Sequence, residues 1–300
     1  MSISISERDY IIKGIDSGIR TDGRGREDYR QIYIETGILA HASGSARCRL
    51  GDGTDVLVGI KAETEPILPT NEIIDEGYLK INVECSPNSV NQFETKLNEE
   101  VSSEIAQILQ RGLCGPQGGI DLKKLCIIPK NACWCLYIDA LVLGISGNLI
   151  DAISYAIYAA LANTRLPMTV IEDVGDNQFE FEVIDDDNQS IPVPGWENVP
   201  ILTTLSKIGD RYILDSTNME EHCSDAALHV AINSKGNICG VQKSGDKSID
   251  PSMLIEMLTT AQTIGSNALH ALNLRISEEK EEIEKIQQKG GVIKKMGFMA

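Results

Sequence analysis

Apolar positions recur along the chain with two periods, and the switching between them sketches a fold. Residues 5–17 place Ile11, Ile12 and Ile15 on one helical face, with Ser6 as the expected N-cap. Period-two runs follow at 31–35, at 46–50, at 55–62 with Val56, Val58 and Ile60 on one side, and at 77–85 with Leu79, Ile81 and Val83 together. Residues 98–113 return to helical spacing. Val101, Ile105, Ile108 and Leu109 form the stripe, while Glu99 and Glu100 sit where the positive end of the helix favours acids. The loop at 115–119 closes this helix, and 124–128 and 133–143 read as strands. The second of these is apolar on both faces, which suits a central position in its sheet. The helix expected at 148–163 is apolar nearly all round and therefore buried, with Pro167 beyond its end.

Between 172 and 198 the chain turns acidic and turn-rich, with Pro192, Pro194 and Gly195. A domain boundary is expected there, separating residues 1–190 from 191–275. The second part repeats the style of the first. Two strands flank Gly209–Asp210 within 201–215, another pair at 226–233 and 237–242 flanks Ser234–Gly236, and a long helix starts at Asp250 and Pro251 with Leu254, Leu258, Ala261, Ile264, Ala268 and Leu272 as its stripe. Strands followed by helices, twice over, predict an α+β protein of two domains, each a mixed sheet with helices packed on one side. Residues 276–300 read as a charged, solvated helix and tail, with Glu281 and Lys285 spaced as a surface pair.

No apolar run approaches the roughly 20 residues of a membrane helix, and MSISISERDY has neither the basic nor the apolar region of a secretory signal. Several of the cysteines at 48, 85, 114, 126, 133, 135, 223 and 239 fall inside apolar strand-like runs, which reads as reduced core thiols of an intracellular protein. The charge balance is less ordinary. With 27 basic and 44 acidic residues the net charge is −17, so the surface as a whole repels phosphate backbones. The one dense arginine group (Arg20, Arg24, Arg26, Arg30) is interleaved with Asp22, Glu27 and Asp28. If RNA is the ligand, partners must supply most of the positive charge.

Local motifs for chemistry fail one by one. Cys133-Trp134-Cys135 lacks a second ligand pair for zinc. The histidines at 41, 222, 229 and 270 form no metalloprotease motif, and His229 reads as a packed strand residue. Gly144-Ile145-Ser146-Gly147 lacks the last glycine of a nucleophile elbow, since Asn148 stands there. Gly112–Gly119 lacks the Gly-Lys-Ser/Thr of a P-loop, and Asp185-Asp186-Asp187 lacks calcium-loop spacing.

Several stretches taken in order do carry a signature. Residues 20–30 (RTDGRGREDYR) precede a strand and then Ser43-Gly44-Ser45-Ala46. Gly77-Tyr78-Leu79, Cys85-Ser86-Pro87, Phe93-Glu94, Gln110-Arg111-Gly112-Leu113 and residues 121–127 follow. Gly147-Asn148-Leu149-Ile150-Asp151-Ala152, residues 163–167 and Gly240-Val241-Gln242-Lys243-Ser244-Gly245 complete the set. Together, over about residues 5 to 272, they resemble the RNase-PH-like ring subunits of the RNA exosome.

That resemblance implies two RNase-PH-like domains, a heterodimer with a related subunit, a six-membered ring of three such dimers joined by cap subunits and an associated nuclease, and RNA threaded through the pore. It implies residence in the nucleus, nucleolus and cytoplasm, with no cofactor and no membrane. Active members carry a Gly-Thr/Ser-Arg-type phosphate element at the start of the buried helix. The arginine position here is Leu149 or Ile150, and Asp151 adds an anion to the first turn. Their catalytic aspartate falls about nine residues before a turn glycine, which here gives Ala227, with Asp225 two residues away. The expectation is a non-catalytic ring subunit with no catalytic residue of its own. The competing reading is a phosphorolytic 3′-to-5′ exoribonuclease subunit sharing an active site with a partner. For RNA contact the candidates are Arg111, at the end of its helix, and Lys96, expected in the loop before it.

Overall fold

The computed structural model describes residues 3–51, 53–67, 75–86, 95–113, 119–175, 178–184 and 189–288. A helix α1 (Ile5–Asp16) opens the chain, followed by strands β1 (Ile32–Thr36), β2 (Gly44–Leu50), β3 (Thr54–Pro66) and β4 (Tyr78–Cys85). Helix α2 (Thr95–Leu113), a 3-10 turn at Leu122–Leu125, β5 (Cys126–Ile128), β6 (Ala132–Gly144) and helix α3 (Leu149–Asn163) complete the first half. The first sheet runs β1-β2-β3-β6-β4, with β5 also on β6. Every pairing is antiparallel except β4 with β6, and α2 lies in the crossover that a parallel pair requires. The strand that is apolar on both faces, β6, is central as expected, between β3 and β4.

After α3 come the short β7 (Arg165–Leu166), a hairpin of β8 (Met168–Gly175) and β9 (Gln178–Ile184), and β10 (Ile191–Pro192), which pairs with β7. The stretch read as an acidic linker thus holds a two-stranded hairpin, whose mixed apolar and acidic sequence hid its period. The second sheet is built from β11 (Ile201–Ile208), β12 (Arg211–Leu214), β13 (Ala226–Ile232) and β14 (Ile238–Ser244), in the order β12-β11-β13-β14. A short helix α4 (Asn218–Cys223) links β12 to β13, and α5 (Pro251–Gln288) ends the described chain.

Packing sets these elements in layers. Alternate residues Val56, Val58, Ile60, Leu136, Ile138 and Ala140 of the first sheet join Ile105, Ile108 and Leu109 of α2 and the α3 side chains in one core. Residues 151–162 of α3 are all buried, because the helix is covered by the first sheet on one side and by β11 on the other. The second sheet turns Leu202 and Ala231 toward that core. Its other face turns Leu205, Leu228, Val230 and Ile232 against Met257 and Ala261 of α5. The α+β class holds, but the second sheet is antiparallel throughout and not mixed, and it carries helices on both of its faces.

Other boundaries differ from expectation. The N-cap of α1 is Ser4, whose side chain and Glu7 form a reciprocal capping box, in place of Ser6. Helix α5 runs unbroken across 275/276, and its far end is not simply solvated. Ile276 is buried, Tyr158 donates to Asn273 Oδ1 at 2.7 Å, the Thr36 N–H donates to Glu279 Oε1 at 2.9 Å, and Lys280 sits over the Trp196 ring. At the other terminus, Ile11 and Ile15 of α1 pack on Ile208, Ile213 and Cys223 of the second half. Helix α1 therefore lies against the second sheet, and residues 273–280 of α5 lie against the first half.

Candidate functional site

The connection from β6 to α3 is pressed against the segment joining β12 to α4. Gly147 has φ 89°, and a Cβ there would meet Ser216 O at 2.4 Å, so only glycine fits. Asn148 follows in the left-handed region, and the carbonyls of Ser146 and Gly147 accept hydrogen bonds from Arg30 at 2.9 and 3.0 Å. Asp215, also left-handed, accepts from Arg24, Arg30 and the Asn148 side chain. Burial pushes its carboxyl up, but these donors outweigh burial and hold it below the ordinary range. One step away, Arg20 is fully buried, paired with Glu220 at 2.9 and 2.7 Å and donating to the carbonyls of Leu214 and Asp215. Arg20, Arg24 and Arg30 are thus engaged in tying the N-terminal segment to the β12–α4 connection and to the head of α3.

Between α2, the start of α3 and the second sheet lies a cleft of about 510 Å³. Val101, Ile105, Ile108, Leu149 and Ile150 form an apolar wall, and Thr204, Ser206, His229, Ser244, Asn148 and Glu221 line the opposite side. Ala227 and Asp225 line it too, so the two stretches singled out by the resemblance, at 147–151 and 225–227, converge here. Glu104, Glu221 and Asp225 are the charged residues among the described lining, and all are acids. Asp225 is held by Lys247 at 2.7 Å, with Arg8 at 3.7 Å.

At the mouth of the cleft, the Asn148 N–H at the head of α3 donates to Glu221 Oε1 at 2.6 Å. The protein's own carboxylate sits where a free helix-terminal amide would hold an anion. Desolvation pushes Glu221 up to about 7, although the residue keeps exposed surface at the mouth, while the Asn148 amide and Arg30 pull the other way. Behind it, the fully buried Asp151 accepts from Tyr29 at 2.9 Å, the Asn148 side chain at 3.0 Å, and the Thr204 N–H and hydroxyl at 3.0 and 2.6 Å. Burial raises its carboxyl to about 6 against the pull of these donors. Since the Thr204 hydroxyl donates to Asp151, its oxygen accepts from His229 Nδ1–H, and His229 Nε2 accepts from the Ser244 hydroxyl. Burial lowers His229 to about 4, so this ring is neutral, as the two contacts require.

Arg111 and Lys96 do not come together. Arg111 is exposed in the last turn of α2 and makes no ion pair among the described residues; Lys96 stands in the first turn of that helix, which begins at Thr95 and absorbs the expected loop. About 22 Å of helix axis separates them. Phe93-Glu94, Pro87 and most of the loop at 115–119 lie outside the described residues. No group of metal-ligating side chains occurs among the described residues, and Cys133 and Cys135 are buried strand residues. The sequence reading missed Glu221 because it missed α4, although Thr217-x-x-Glu220 is a capping-box pattern and forms one.

Residues 28–167 match the 3′ exoribonuclease family, domain 1, and residues 198–264 match domain 2 of the same family. A "putative exosome complex exonuclease RRP42" of Dictyostelium discoideum is 34% identical, over 92% of this chain and 98% of its own length. The chain belongs to the RNase PH-type 3′ exoribonuclease family. Within that family, an "exosome complex component Rrp42" of Thermococcus kodakarensis is 38% identical over 79% of this chain and 83% of that protein. An Archaeoglobus fulgidus exosome structure with RNA bound to the active site superposes with a TM-score of 0.73 at 28% identity, covering 89% of this chain and 97% of the other. The two RNase PH-type domains account for the two sheets, and the cleft lies where both contribute residues.

Proposed function

We propose that this chain is a non-catalytic ring subunit of an RNA exosome, contributing to ring assembly and to the RNA path in 3′-to-5′ RNA processing and degradation. The observation that carries this reading is the Glu221 carboxylate on the Asn148 N–H. Phosphorolysis needs phosphate held at this helix start and an acid placed to handle the leaving group. Here the amide is taken by an internal anion, the arginine position is Leu149 or Ile150, and the aspartate position is Ala227. Asp225, the alternative acid, is already engaged by Lys247.

The partners in this reading are other RNase-PH-like subunits forming the six-membered ring, cap subunits, an associated nuclease and RNA; the compartments are nucleus, nucleolus and cytoplasm. Arg111 and Lys96 are the proposed RNA contacts, and no cofactor takes part. The units are proposed to be 1–190 and 191–275 with a C-terminal extension at 276–300.

The test is phosphate-dependent release of nucleoside diphosphates from RNA by the purified chain, by the chain with a dimer partner whose own site is disabled, and by a ring in which every other site is disabled. No release above background is expected, since one missing acid–base function alone costs about 10²–10⁴ in rate. Release abolished by Asp225→Asn overturns the reading. Release that needs the partner and is lost in Arg111→Glu favours a site shared across the dimer.

A further inference from the structure

The cleft that refuses phosphate has the opposite preference built into it. Glu221 uses Oε1 on the Asn148 amide, its Oε2 has no hydrogen-bond partner among the described residues, and the residue lines the cleft with exposed surface. Asn148 is 2% exposed, and its Oδ1 has no hydrogen-bond partner. The side-chain amide cannot flip to cure this, because its Nδ2 already donates to Asp151 and Asp215, two carboxylates that accept only. An orphaned acceptor in the floor of a cleft therefore lies beside an incompletely used carboxylate, and both call for a donor from outside the chain. Glu104 adds a further negative charge to the lining. Val101, Ile105, Ile108 and Leu149 supply an apolar wall next to this head-group position, a surface suited to methylene groups.

We propose that this cleft is a binding site for an aliphatic cation, a guanidinium or ammonium group on a methylene stem, with Glu221 and Asn148 taking the head and the α2–α3 wall taking the stem. A positive donor satisfies both acceptors at once, and charge-assisted hydrogen bonds of this kind are the strong ones. Such groups occur as free amines and as basic side chains of a protein partner, and the recognition chemistry is the same. The inference extends the reading of a phosphate-refusing cleft. Its test reads binding and not RNA turnover, so either can fail alone.

The probe is agmatine, titrated into the full chain by calorimetry. Saturable one-site binding is expected, with n-butylurea, which keeps a four-carbon stem but carries no charge, at least tenfold weaker and inorganic phosphate silent. Glu221→Gln should weaken agmatine about tenfold or more, the equivalent of losing one charge-assisted contact. Val101→Lys places a tethered cation at the exposed rim without touching the floor, and should also weaken it. Tenfold tighter binding of a short arginine peptide than of agmatine would assign the site to a protein partner, and equal affinity to a free amine; both support the proposal. Equal binding of agmatine and n-butylurea, unchanged affinity in both variants, or competition by inorganic phosphate overturns it.

Discussion

Replacing Glu220 with alanine probes the joint between the N-terminal segment and the second sheet. The Arg20 guanidinium has no exposed side-chain surface and Glu220 is 1% exposed, so the substitution strands a positive charge out of reach of water. Breaking a buried pair from one side costs about 3–5 kcal/mol. Glu220 also accepts from the Thr217 N–H at 2.8 Å as the reciprocal half of the α4 capping box, and losing a cap costs about 1 kcal/mol. The expected total is about 5 kcal/mol, against a whole-domain stability of about 5–15 kcal/mol. The double variant R20M/E220L removes both charges together. It should lose only about 2 kcal/mol, mostly for the Leu214 carbonyl left without its Arg20 donor. Urea unfolding followed by the fluorescence of Trp134 and Trp196 measures E220A and the closed cycle of R20M, E220L and their double variant. A cost below about 1 kcal/mol for Glu220→Ala, or a double variant equal to the sum of the singles, refutes the argument that the pair is buried and mutually dependent.

Two buried groups on one hydrogen-bond chain should titrate against each other. The Asp151 carboxyl is raised to about 6 in the fold, so its ionisation penalty, about 3 kcal/mol above pH 6, is relieved as pH falls toward 4. His229 is lowered to about 4, so the unfolded chain takes up a proton first and about 3 kcal/mol is lost between pH 6.5 and 4. Their contributions nearly cancel in the native protein. Asp151→Asn should therefore show stability falling with acid across that window, and His229→Gln should show the reverse; parallel urea-midpoint profiles for the two variants would count against the buried chain. For the RNA path, Arg111→Glu should leave ring assembly intact while lowering the slope of log binding against log salt by about 1. An unchanged slope, or a ring that no longer forms, assigns Arg111 to the stability of α2 instead.

The fold was legible wherever a period was clean. Strand β6 reads as central because its apolar residues fall on both faces, and α3 reads as buried because it is apolar all round. The β8–β9 hairpin was hidden because acids interrupt its apolar alternation: Glu172 pairs with Glu180, and Val170 with Glu182. The tail beyond 276 looked solvated since its anchors are polar. Asn273, Glu279 and Lys280 bond to partners more than 100 positions away, which no local pattern reveals. At the cleft, the positions at 147–151 and 225–227 were found by resemblance, and the fold brings them together. Glu221 has no sequence signal of its own, because its role depends on α4 resting against the head of α3. Of the interleaved acids, Asp22 pairs with Arg20 and Arg24, while the buried partners of Arg20, Arg24 and Arg30 are Glu220 and Asp215, far away in sequence.

The crossed placement of α1 and of the far part of α5 constrains how the protein is made. Arg20 and Glu220 are 200 positions apart, and a ribosome adding roughly 5–20 residues per second needs about 10–40 s to cover that distance. Throughout that interval the N-terminal arginines are without their buried partners, and the first sheet, whose last strand ends at Gly144, is complete in sequence well before the interval closes. The first half cannot finish folding ahead of the second in the usual vectorial order. Its opening segment docks only after α4 has left the exit tunnel, and Glu279 and Lys280 reach back to the first half later still. Removing α1 or the far part of α5 therefore takes an anchor from the opposite half of the molecule.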